Sequence, residues 1–244
     1  MRKYLIAAVA ALSVLAAVGV ASAQDPGADM TVKVTPKNAG TKAKPKDSVI
    51  TLEIVNKDFS QTASRLEIWI PKAVKIDNKA AKKCSVAKLG AGGPSACPKG
   101  SQIGSGTADA RAGVNTSANP PVLPFKVTAF ATGNSSIAFY LQQTNGSIVA
   151  VAPAKVKKAS GKYSAKLDVA IPEEPAQQYP TGNYNGLERL KTTLGTTKKG
   201  KSVIKSIGCN SKKHPFKAAI HFVPNPNPPK AAKVETTATS ACSK

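Results

Sequence analysis

The sequence predicts an all-β chain, an antiparallel, immunoglobulin-like β-sandwich of about ten strands with two disulfides. Three observations carry that prediction. Apolar and polar residues alternate with period two in short segments, turn residues separate those segments, and helical periodicity is almost absent beyond the N-terminal stretch. Four cysteines, an even set, follow an export-type leader, the usual arithmetic of a disulfide framework.

The leader comes first along the chain. Basic Arg2 and Lys3 precede an apolar stretch from Leu5 to Val20, and Ala21-Ser22-Ala23 stands before Gln24, the three parts of a cleavable secretory signal over residues 1–23. The apolar stretch falls short of the ~20 residues needed to cross a bilayer. Residues 24–47 are expected to hold an N-terminal strand and a flexible Lys-rich loop, and residues 48–244 the sandwich domain. No transmembrane segment is expected once the signal is removed.

In the domain, Val49–Val55 puts Ile50, Leu52 and Ile54 on one face, and Leu66, Ile68 and Ile70 repeat the pattern with Glu67 and Trp69 opposite. A Gly, Pro and Ser-rich interval covers residues 90–121. Alternation resumes at Phe125–Thr132, Ile137–Gln142, Ser147–Ala152 and Tyr163–Ile171, which read as a meander, with Asn145-Gly146 as a hairpin signal. A Pro, Gln, Asn and Gly-rich connection spans residues 172–186. Leu187–Leu194 fits a strand or a short helix, and its threonines favour the strand. Phe216–Val223 alternates with Phe216, Ala218, Ile220 and Phe222 inward; a proline-rich turn at Pro224–Pro229 leads to a last strand near Val234–Ser240.

Cys84, Cys97, Cys209 and Cys242 allow three pairings. Cys84–Cys97 with Cys209–Cys242 is favoured, because each pair brackets a short, locally closed segment. The rival, a metal site from Cys209, His214 and His221, matches no familiar zinc spacing; no metal and no cofactor are expected.

The chain of 244 residues carries 35 Lys+Arg against 13 Asp+Glu. Removing residues 1–23 takes Arg2 and Lys3 away and leaves a net charge of +20, in which only Arg65, Arg111 and Arg189 are arginine. Lysine is a mobile point charge, whereas the planar fork of arginine reads guanine edges and clamps phosphate. With few aromatics to stack bases, a specific nucleic-acid reader is disfavoured, while attraction to polyanions needs no special geometry. The lysines singled out for such contact are Lys155, Lys157, Lys158 and Lys162 near one hairpin, and Lys198, Lys199, Lys201 and Lys205 near another.

Catalytic constellations are hard to assemble. There are two histidines, His214 and His221, and Gly104-Ser105-Gly106 lacks the spacing of a nucleophile elbow. Glu173 and Glu174 are adjacent between two prolines, where their side chains diverge, and Glu67 and Asp168 read as outward strand residues. The glycines at 90–106 follow no nucleotide fingerprint. Asn115-Thr116-Ser117, Asn134-Ser135-Ser136 and Asn145-Gly146-Ser147 satisfy the glycosylation triplet but read as turns.

One stretch carries a family-like signature: Leu66–Ile70, Pro71-Lys72-Ala73-Val74, Cys84-Ser85, then Cys97-Pro98-Lys99-Gly100-Ser101-Gln102-Ile103-Gly104-Ser105-Gly106. It resembles uncharacterised secreted β-sandwich proteins of actinobacteria, in which Pro-x-Gly-Val leads to a first cysteine and a Cys-Pro-x-x-Ser-x-Ile-Gly-x-Gly segment follows. Ala73 stands where that pattern has glycine. The resemblance implies a closed loop from Cys84 to Cys97 and a strand entered at Ile103–Ala108; it brings no reaction, substrate or cofactor. The expected function is an exported, non-enzymatic structural or binding module, associated with the cell surface and contacting anionic cell-wall polymer or a membrane surface through its lysines. The alternatives are an extracellular hydrolase of carbohydrate or ester substrates and a non-specific nucleic-acid binder.

Overall fold

The computed structural model describes residues 27–172, 177–178, 183–195, 202–223 and 232–244. The leader, Glu173, Glu174, Lys198, Lys199, Lys201 and the Pro224–Pro229 turn lie outside the described residues.

Three features set the N-terminal part. Strand β1 (Ala28–Thr35) pairs along its whole length with β2 (Lys46–Asn56), so the segment before residue 48 belongs to the same sheet as the rest. Strand β3 (Ala63–Pro71) turns at Lys72-Ala73 into the short β4 (Val74–Ile76). Helix α1 (Val86–Gly92) follows, where sequence periodicity gave no helix. Seven residues are too few to hold a helix alone. The Ser85 side chain caps it by accepting from Lys88 N, Gly93 ends it at φ +62°, and the Cys84–Cys97 disulfide closes the loop around it. Its Leu89 is fully buried in a small second core with Phe130, Ala138 and Tyr140.

The Gly, Pro and Ser-rich interval contains β5 (Gln102–Arg111), the strand implied by the resemblance. The meander forms, with its third strand longer than the Ser147–Ala152 segment read: β6 (Val122–Gly133), β7 (Ser136–Gln143), β8 (Val149–Lys158) and β9 (Tyr163–Ala170) pair in succession. A minor ladder joins β10 (Gln177–Gln178) to β11 (Asn183–Tyr184). The segment read as strand or helix is β12 (Gly186–Leu194). It is followed by β13 (Ile204–Ser206), β14 (Lys213–Phe222) and β15 (Lys233–Ala241).

The chain is thus all-β and antiparallel with two disulfides, but its architecture departs from a ten-strand, immunoglobulin-like sandwich. Fifteen strands form among the described residues, and thirteen of them join edge to edge in one sheet. The order is β15-β14-β3-β9-β8-β7-β6-β5-β12-β2-β13-β4, with β1 also on β2. The far ends of this sheet meet. Val34 N donates to Ser240 Oγ at 2.8 Å, Ala39 N to Ser243 O at 2.8 Å, and Ser243 N to Lys37 O at 2.9 Å. A single sheet rolled until β1 lies against β15 has one inner face, and that face is the core. Period-two alternation looks the same in both architectures, since each buries one face of every strand.

The inner face carries Ile50, Leu52 and Ile54, Leu66, Ile68 and Ile70, and Phe216, Ala218, Ile220 and Phe222, all buried as their alternation predicts. Inward glycines on β5 let β12 approach closely. A Cβ on Gly106 would stand 2.1 Å from Lys191 O and one on Gly104 2.3 Å from Thr193 O. Both distances lie far inside van der Waals contact, so β12 passes closely over β5 and glycine is what fits there.

Candidate functional site: the outer face and one basic end

The outer faces of β8, β9, β3, β14 and β15 carry the ionisable groups read as outward in sequence. Register places Glu67 directly opposite Asp168, a like-charge pair that would repel if left alone. Arg65 resolves it: its Nη2 donates to Asp168 Oδ2 and to Glu67 Oε1, both at 2.8 Å. Lys157 adds an ion pair to Asp168, Lys166 donates to Glu67, and His221 Nε2 lies 2.8 Å from Glu67 Oε2. The Lys166 and Lys217 ammonium groups sit 5.2 and 4.9 Å from the Trp69 ring centroid, within cation–π range.

Hydrogen bonding from Arg65 outweighs burial and holds the Asp168 carboxyl down at about 2. For Glu67 burial pushes the other way, but hydrogen bonds from Lys166 and His221 prevail and its carboxyl also lies below the usual range. Two carboxylates kept ionised by surrounding cations are poor proton donors, the reverse of the raised acid that glycoside hydrolysis requires. The cluster is built as an ion-pair network that ties together four strands, β3, β8, β9 and β14.

A pH prediction arises here. Asp168 has a folded-state value below its unfolded one, so its contribution is present above about pH 4 and is lost as pH falls toward 2. Asp168→Asn is expected to cost about 2 kcal/mol at pH 7. In urea unfolding, the gap between variant and parent should close near pH 2; a gap independent of pH would remove the network's electrostatic role.

The histidines are separated by the sheet itself. His221 faces outward, whereas His214 is buried at 1% exposure on the inner face, where burial pushes its pKa down and its Nδ1 has no partner. Cys209 is bonded to Cys242, and Cys84 to Cys97, the favoured pairing. The rival site of Cys209, His214 and His221 is therefore not assembled, and among the described residues no three His, Cys, Asp or Glu side chains gather as metal ligands.

The lysines singled out in sequence divide. Lys155 and Lys157 are exposed on the outer face of β8, and Lys157 is engaged by Asp168. Lys158 and Lys162 are exposed at the β8–β9 hairpin. Lys205, of the other group, is half-buried on β13, ion-paired to Asp47.

Strand β4 links the two groups. Lys72 N, at its entrance, donates to Lys162 O at 3.2 Å, Ser164 Oγ donates to Val74 O at 3.3 Å, and Lys205 pairs in register with Lys75. Lys72, Lys75, Lys158 and Lys162 are all exposed and share this end of the roll. Lys72 and Lys75 were missed in sequence, although Val74-Lys75-Ile76 after Pro71 does alternate. They belong with the hairpin lysines only because β4 leaves β3 and packs beside the start of β9.

Fold and site together define a class: a basic, disulfide-stapled all-β protein built on one rolled antiparallel sheet with a lysine-rich end. No family model, no curated protein and no solved structure matches the chain. Its disulfides fit an oxidising, non-cytoplasmic compartment. No helix among the described residues is long and apolar enough to cross a membrane.

Proposed function

We propose that this protein is an exported, non-enzymatic binding module of the cell surface, and that its β4 end docks on anionic wall polymer. The observation that carries this reading is the convergence of Lys72, Lys75, Lys158 and Lys162 from two separate stretches of chain. Asp47 at this end is ion-paired with Lys205, so its charge is offset within the protein. Four mobile ammonium groups provide attraction without base or sugar specificity.

Retention on immobilised polyphosphate tests it. The parent protein should bind at about 0.05 M salt and release by about 0.5 M, as screening shortens the field. K72E/K75E/K158E/K162E should elute near the void while melting like the parent, since all four side chains are exposed. Retention indifferent to salt or to these substitutions sinks the reading. A strong preference for duplex DNA over polyphosphate of equal charge would transfer it to nucleic acid.

A further inference from the structure

The lysine end continues around the roll. Sheet order brings the same end of β9, β3, β14 and β15 together, and β1 meets β15 at the seam. Backbone hydrogen bonds tie these strand ends to one another: Lys72 N donates to Lys162 O at 3.2 Å, Ile207 N to Ala73 O at 2.8 Å, Cys242 N to Lys212 O at 2.9 Å and Ser243 N to Lys37 O at 2.9 Å. Ladder pairing of Lys213 with Ala241 closes the step from β14 to β15. Lys37, Lys212 and Lys213 are exposed on this rim, in addition to the four lysines already placed at the β4 end.

Three observations set the rim apart from the rest of a lysine-rich surface. Its segments, residues 35–39, 71–76, 158–164, 207–214 and 241–243, contain no aspartate or glutamate; just beyond them, Asp47 and Asp168 are ion-paired within the protein. Lys57, Lys166, Lys205 and Lys217 each hold a carboxylate, whereas Lys37, Lys212, Lys213 and the four lysines of the β4 end have no ion pair among the described residues. The turn that presents Lys212 is held in a costly conformation, with Ser211 at φ 55° and Lys212 at φ 58°, where asparagine or glycine is usual.

Unpaired like charges repel along the rim, and a partner carrying opposite charge at intervals relieves them together. From β9 to β15 the rim crosses three inter-strand gaps, about 14 Å at the usual spacing, before it reaches β1. A small anion covers one cluster of lysines and leaves the others. The rim also bends with the roll, so a flexible chain can follow it, while duplex DNA, stiff over about 150 base pairs, touches one sector.

We propose that this rim is a track for a single flexible, linear polyanion, laid from the β8–β9 hairpin past Lys72 and Lys212 to Lys37. The track rests on the reading of the β4 end as a polyanion site and defines the shape of its partner.

The experiment follows end-labelled long-chain polyphosphate by fluorescence anisotropy as purified protein is added, across a series of salt concentrations. For a single-stranded polyanion, log K falls with log salt by about 0.7 per charge engaged. K37Q/K212N/K213Q, with asparagine chosen for the positive φ at position 212, should therefore flatten the slope by about 2 and weaken binding about tenfold or more at low salt. K57Q/K126Q/K191Q removes as much charge from exposed positions off the rim and should bind as the parent does. Tripolyphosphate and duplex DNA, at equal total charge, should displace the labelled chain less well than unlabelled long polyphosphate. The track is overturned, with the β4 reading intact, if the folded rim variant keeps the parent's slope while K72E/K75E/K158E/K162E loses binding, or if tripolyphosphate or duplex DNA competes as well as the long chain. An equal loss in the off-rim variant would reduce the track to net charge and overturn it. Vesicles of anionic lipid that displace polyphosphate at a lower charge concentration would overturn it in favour of a membrane. A parent that fails to bind, or binds regardless of salt, removes the β4 reading itself and the track with it.

Discussion

Replacing Cys209 and Cys242 by alanine is expected to lower folding stability by about 4 kcal/mol, from the loop-closure entropy of a crosslink spanning 33 residues. The position of the bridge adds to its effect. Strand β15 is the end of the sheet, held by its ladder with β14 and by a few hydrogen bonds to the β1 side, and Cys242 stands just beyond its last residue. Releasing that corner frees the seam where Val34 and Ser240 meet, with His214 and Phe216 beneath it. Urea unfolding measures the loss, and hydrogen exchange locates it: β15 and β1 amides should lose protection first. Removing Cys84–Cys97 should cost somewhat less, about 3 kcal/mol for its 13-residue span, with the exchange confined to α1 and its neighbours. Equal, molecule-wide deprotection in both variants would show that the seam is not the weak edge.

How much of this could be read from the chain depends on how local the information is. Inward positions were legible wherever one face of a strand is buried: Phe216, Ala218, Ile220 and Phe222 declare themselves by alternation alone. The meander from β6 to β9 was legible because its connections are short and carry breakers. The closure of the sheet was not, because a hydrogen bond from Val34 to Ser240 joins residues 206 apart and leaves no trace in either local pattern. The sandwich and the roll bury the same alternate residues and differ only in which strands end up adjacent. Helix α1 escaped because its register is supported by a cap and a disulfide instead of by an amphipathic repeat. The same distinction governs the sites. Individual lysines are visible in sequence, but their meeting at one end depends on β4 leaving β3 to pair with β13. A cavity of about 100 Å³ inside the roll was not legible: of the alternate alanines of β8 only Ala152 lines it, and alternate alanines describe a tightly packed core equally well.

That last ambiguity sets up a paired prediction on the core. Phe216 is 1% exposed on the inner face of β14, within the main core cluster and away from the residues that line the cavity. Phe216→Ala is expected to cost about 3–5 kcal/mol, the sum of lost burial and of a new void. Leu190, also inward, borders space that is already empty and is half-buried. Leu190→Ala enlarges an existing cavity, loses only part of a leucine's burial, and is expected to cost about 1 kcal/mol. Urea unfolding of both variants, with unchanged denaturant slopes to confirm that the unfolded states are comparable, reads the difference directly. A Leu190→Ala loss as large as that at Phe216 would mean that the side chains around Leu190 close on one another in solution. The void would then have no place in the folded protein. A small loss at Leu190 beside a large one at Phe216 would instead show that the side of the roll around Leu190 tolerates space that the β14 side does not.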